Sequence, residues 1–144
     1  MNDAKAQALG AVFSDCTTNY NRKTILYIGP GTGLGGAIIN VGQSLNDYKF
    51  ITDGHIFDIL VDYKQKKVMA EDVLSGRGVM ENLGISAKQL NQSFKKSKIY
   101  QDYVNKMGDV CVQIAQDITS KNIQKKYGHW SEKECQDIGP IQQV

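Results

Sequence analysis

Apolar and polar positions divide the chain into stretches of different period. Asn2 and Asp3 are good capping residues, and Ala6, Leu9, Val12 and Phe13 then recur at intervals of three and four, which predicts a helix over about 3–13. A polar, turn-rich segment from Ser14 to Arg22 precedes Thr24-Ile25-Leu26-Tyr27-Ile28, whose β-branched and aromatic content suits a buried strand. Ala37-Ile38-Ile39-Asn40-Val41 has the same character, with a glycine on either side and no helix cap, and reads as a second strand.

Between Gln43 and Val68 aspartates interrupt the apolar residues, so Ile56 to Val61 is the one short strand expected there. Ala70 to Glu81 reads as two short helical pieces around the turn Ser75-Gly76-Arg77-Gly78, and Ser86 caps a helix through Phe94. The strongest period starts near Ile99, where Tyr100, Tyr103, Val104, Met107, Val110, Cys111, Ile114, Ala115 and Ile118 share one face of a long helix. That stripe is expected to pack onto a core. The expected organisation is a lobe over 1–128 and a polar tail over 129–144 without a regular element.

The chain has 144 residues, 17 Lys+Arg against 15 Asp+Glu, a net charge of +2 and 41% hydrophobic residues. This is enough for one core without a disulfide or metal. The balanced charge argues against a nucleic-acid partner, and Lys64-Gln65-Lys66-Lys67 reads as a solvated face. Three widely spaced cysteines, Cys16, Cys111 and Cys135, with no C-x-x-C pair, read as reduced thiols of a cytoplasmic protein. No stretch approaches the roughly 20 apolar residues of a membrane span, and no secretion signal is expected.

Candidate chemistry centres on Gly29-Pro30-Gly31-Thr32-Gly33-Leu34-Gly35-Gly36. Gly31-x-Gly33-x-x-Gly36 after a strand, with Asp53 further on, has dinucleotide-binding spacing, but that reading requires a helix where Ala37 to Val41 stand. A glycine-rich turn between two antiparallel strands instead lets backbone N–H groups approach phosphate oxygens, with the Thr32 hydroxyl as a further donor. A plain hairpin without a ligand is the bland alternative.

Ile28 to Gly35 resembles the second phosphate loop of bacterial-type glucokinases and the related repressor/kinase sugar family. Three further segments are similar in the same order: Asn2-Asp3-Ala4-x-Ala6-x-Ala8-Leu9-Gly10, Gly54-His55, and Ala70-Glu71-Asp72-Val73-Leu74-Ser75-Gly76-Arg77-Gly78. The likeness covers roughly residues 1–85.

It implies an α/β lobe of the ribonuclease H-like, actin/hexokinase-like class, with a mixed sheet whose early strands flank the phosphate turn. It also implies ATP- and Mg2+-dependent phosphorylation of glucose. On that reading Asp3 is the catalytic base, Asn2, His55 and Glu71 bind the sugar, and Gly31, Thr32, Gly33 and Gly76 approach the nucleotide. Thr52 stands where the family has Glu, a Cys-x-Cys-Gly-x-x-Gly-Cys zinc segment is missing after His55, and so is an Asp-x-Gly-Gly-Thr first phosphate loop. The resemblance therefore implies a partial chain that exposes apolar surface and either pairs with a second copy or is only marginally stable. The alternatives are a sugar-sensing module of the same fold that has lost catalysis and, if residues 37–47 are helical, a nicotinamide oxidoreductase.

Overall fold

The computed structural model describes residues 3–15, 17–51 and 55–144. Its central hairpin joins β1 (Thr24–Pro30) to β2 (Leu34–Val41), antiparallel, in a register running from Thr24 opposite Asn40 to Pro30 opposite Leu34. β3 (Tyr48–Phe50) lies antiparallel along the far end of β2, and β6 (Ile141–Gln143) runs parallel beside the start of β1. The resulting four-stranded mixed sheet has the order β3-β2-β1-β6. With β2 extended over Leu34–Val41, the helix that a dinucleotide-binding loop requires is not formed, and the oxidoreductase alternative falls with it.

Side chains alternate between the two faces of the sheet. On one face Ile25, Ala37, Ile39 and Val41 bury against Ala8 and Val12 of helix α1 (Asp3–Ser14). On the other, Leu26 and Ile38 join Ile56, Ile59, Val73 and Leu74, together with Val110, Ile114 and Ile118 of α5 (Lys98–Thr119). Both faces are covered, which is why the strands read as near-continuous apolar runs. The stripe on α5 buries as its period predicts. The architecture is α/β, with a mixed sheet and helices packed on both sides.

The stretch 70–93 also follows the sequence reading. α2 (Glu71–Leu74) is followed by α3 (Gly76–Leu83), which the Ser75 hydroxyl caps and Gly84 ends in a left-handed conformation at φ 71°. α4 (Ala87–Ser93) opens with a capping box between Ser86 and Gln89.

Two expectations are corrected. The expected strand Ile56–Val61 forms only in its second half: Phe57 and Asp58 turn, Ile59 makes an isolated bridge to Lys125, and Leu60 and Val61 begin β4 (Leu60–Tyr63), which pairs with β5 (Lys66–Met69) in a hairpin. Lys64 and Gln65 turn that hairpin with φ of 49° and 64°, a left-handed pair usually given to Asn-Gly, so the sequence carries no turn signal there. The residues after Gly128, expected to form no element, contain α6 (Glu132–Asp137) and β6.

The C-terminal segment is seated by buried contacts. Asp58 is 1% exposed. It pairs through Oδ1 with Lys125 at 3.3 Å and accepts the Tyr127 and Gly128 N–H groups on Oδ2. Burial opposes the charge on this carboxylate, but these two amides and the Lys125 ammonium outweigh it and hold the pKa below the ordinary value. Lys125 also lies 5.1 Å from the Trp130 ring centroid, and Trp130 is buried. Lys121 donates to the carbonyls of Cys135 and Ile138. Among the described residues no helix is long and apolar enough to cross a membrane.

Candidate functional site

The glycine-rich turn is the three-residue loop Gly31-Thr32-Gly33, closed by the Gly31 N–H donating to the Gly33 carbonyl at 2.8 Å. All three residues are exposed. Among the described residues, the N–H groups of Thr32 and Gly33 and the Thr32 hydroxyl donate to no protein acceptor, so they are uncommitted at the exposed tip.

The first turn of α3 docks against this tip. Gly76 N–H donates to the Gly31 carbonyl at 2.6 Å, Arg77 N–H to the Thr32 carbonyl at 3.3 Å, and Gly78 N–H to the Ser75 hydroxyl at 3.0 Å. A helix start normally offers such amides to an anion. Here they are consumed within the fold, so the donors open to phosphate belong to the hairpin turn. Gly76, expected to approach the nucleotide, spends its amide on docking. A Cβ at position 76 would come within 3.1 Å of the Gly31 carbonyl oxygen, which accounts for glycine there.

Glu71 ties the two parts together. Its Oε1 accepts the Leu34 N–H at 3.0 Å, and its Oε2 pairs with Arg77 Nη2 at 2.9 Å. Gly33 sits so close to this carboxylate that a Cβ there would lie 2.6 Å from Oε1. The Glu71 N–H donates to the Phe57 carbonyl at 3.0 Å, which brings the Glu71 backbone within two residues of His55. His55 is exposed. Its ring makes an edge contact with Phe57 at 6.3 Å, and its carbonyl accepts from Lys125 Nζ at 2.7 Å.

Asp3 opens α1 and is exposed. The residue beside it, Ala4, packs on Gly35 so closely that a Cβ on Gly35 would come 2.9 Å from the Ala4 Cβ. On the opposite face of β2, a Cβ on Gly36 would meet Ile56 Cδ1 at 2.5 Å. The paired glycines thus let α1 approach one face and the segment after His55 the other. Glu71 meets the turn directly, whereas Asp3 is placed through its neighbour Ala4 on Gly35, and His55 through its neighbour Ile56 on Gly36. Asn2, and Asp53 of the alternative reading, lie outside the described residues.

Beside the tip a cavity of about 830 Å³ opens between the turn, α3, α4 and α5. Its walls include Leu74, Val79, Leu90, Phe94, Val104 and Met107, and Arg77 and Lys88 stand at it without a carboxylate among the lining residues. Sequence reasoning missed Arg77, which is the variable position of Ser-Gly-x-Gly, and Lys125, which no motif marks. Compared with known proteins, the chain matches no family model, no curated protein and no solved structure.

Proposed function

We propose that the chain forms the sugar- and phosphate-binding lobe of a glucokinase-type kinase of the ribonuclease H-like class, which phosphorylates glucose with ATP and Mg2+ in the cytoplasm. The observation that carries this reading is the Glu71 carboxylate seated on the Leu34 N–H at the base of the glycine turn. It sets the sugar-side acid directly against the phosphate-side loop, as transfer between the two substrates requires.

The residues fit a nucleoside polyphosphate. The uncommitted turn donors suit phosphate oxygens, the apolar cavity suits a base, and Arg77 and Lys88 complement the negative charge. Bound Mg2+ supplies charge neutralisation on the phosphates. Asp3 takes the proton of the attacking hydroxyl late in a loose transition state, so position contributes most. Glu71, His55 and Asn2 satisfy the remaining sugar hydroxyls, which are costly to bury unpaired.

Calorimetry with glucose, and a coupled assay for glucose 6-phosphate with the complementary first lobe supplied, test the proposal. Glucose is expected to bind, and Asp3→Asn is expected to lower turnover by about 100-fold or more while leaving glucose binding in place. No binding of glucose overturns the reading. Binding without turnover in the completed protein makes it a sugar sensor instead, and full activity of Asp3→Asn removes Asp3 as the base.

A further inference from the structure

We propose that Arg77 is shared between the two halves of the site: it is paired with Glu71 when both are empty, and it turns to the phosphates of an entering nucleotide, which frees Glu71 Oε2 for a sugar hydroxyl. The inference rests on the kinase reading above and assigns to that site a coupling between its two substrates.

Three observations place Arg77 in this role. Its guanidinium holds Glu71 Oε2 at 2.9 Å, on the carboxylate expected to face the sugar. Arg77 also lines the cavity beside the turn, where a polyphosphate would lie against Gly31 and Thr32. Its backbone N–H is fixed to the Thr32 carbonyl, so the side chain can exchange partners while its root stays at the tip.

The relative burial of the partners sets which one moves. The Arg77 side chain is 53% exposed and the Glu71 side chain 16%. Glu71 is retained by the Leu34 N–H on its other oxygen, whereas the guanidinium has no second anchor among the described residues. A phosphate group offers a guanidinium two parallel acceptors and more charge than the single Glu71 oxygen it leaves. Either substrate therefore competes with the same ion pair. Once one has broken it, the other binds without that competition, and by linkage each raises the affinity of the other by the same factor.

An exposed pair of this kind supports a coupling of about two- to five-fold. The test is a pair of calorimetric titrations on the whole chain, with glucose and with the Mg2+ complex of a non-hydrolysable ATP analogue, each alone and in the presence of the other. For the wild type, the analogue is expected to tighten glucose binding about two- to five-fold and glucose to tighten the analogue equally. In Arg77→Gln the analogue binds more weakly, glucose alone binds as well as or better than to the wild type, and neither ligand affects the other. Arg77→Lys restores part of the coupling.

Weaker binding of glucose alone in Arg77→Gln overturns the proposal, because it makes Arg77 a prop that orients Glu71. Coupling that persists in Arg77→Gln overturns it as well, as does a wild type in which both ligands bind independently. A wild type that does not bind glucose fails the kinase reading itself, whereas the other failures leave that reading standing.

Discussion

The hairpin tip and the C-terminal segment are held by ion pairs of opposite character. At the hairpin tip Glu71 and Arg77 meet at 2.9 Å with the arginine half in solvent. At the C-terminal seam Asp58 and Lys125 meet at 3.3 Å with side chains 2% and 4% exposed, and Asp58 also accepts two backbone amides. Solvent screens the first pair and competes for its partners, so it exchanges at little cost. The second has no water to replace a lost partner, so it fixes chain position. Adjustable charge is placed where substrates are expected and locked charge behind it, with Lys125 joining the two by donating to the His55 carbonyl.

Breaking the seam is expected to have the largest effect. Lys125→Met leaves the Asp58 carboxylate buried without its cation and is expected to cost about 3–5 kcal/mol in chemical denaturation. Asp58→Asn orphans the ammonium in the same way. The pH dependence follows from the lowered pKa of Asp58. A group depressed in the folded state stabilises fully above its ordinary value of 3.8, and this contribution is lost as pH falls through the folded value. The gap in melting temperature between wild type and Asp58→Asn is therefore expected to narrow as pH is lowered from 6 to 3. A constant gap would show that the seam owes nothing to the charge.

The same contrast governs what could be read in advance. The tip was legible because each device there is local: a strand of β-branched residues, a run of glycines, a Ser-Gly-x-Gly turn between two short helices and a repeated face on α5. The seam was not, because it is built from pairs 67 to 70 residues apart in polar sequence, such as Lys125 with Asp58 and Lys125 with His55. Trp130 buries within a run of polar residues by lying under the Lys125 ammonium. β6 is three residues long and has no usable period. One signal was present and unused: Ser131-x-x-Glu134 is a capping box, and it opens α6. At the site, the motifs marked Asp3, His55, Glu71 and the turn, but not that the Gly76 amide would be spent on Gly31 or that Arg77 would join Glu71.

The joint between α2 and α3 lies between these extremes. A Cβ on Gly78 would come within 2.5 Å of the Asp72 carbonyl oxygen and 2.7 Å of its carbon, and backbone on both sides leaves little room to yield. Gly78→Ala is expected to cost about 1–3 kcal/mol as an overpacked core position. It should also loosen the docking of Gly76 and Arg77 on the turn, which hydrogen exchange at those two amides reads directly. Unchanged stability would mean that α3 slides freely on α2.

Gly33→Ala probes the tip, and its effect on stability is expected to be the smallest of the three. The added methyl meets Glu71 Oε1 at 2.6 Å, the far end of a flexible side chain, and the φ of Gly33 lies outside the left-handed range. The carboxylate is expected to swing aside and give up the Leu34 N–H. The cost is about 0.5–1.5 kcal/mol, the net value of one hydrogen bond. Glucose affinity is expected to fall more than stability does, since the methyl displaces the acid that the kinase reading assigns to the sugar. Adding Glu71→Gln to Gly33→Ala separates the effects: if the methyl acts only through this carboxylate, the double variant binds glucose no worse than Glu71→Gln alone. Additive losses would instead place part of the sugar contact on the turn itself.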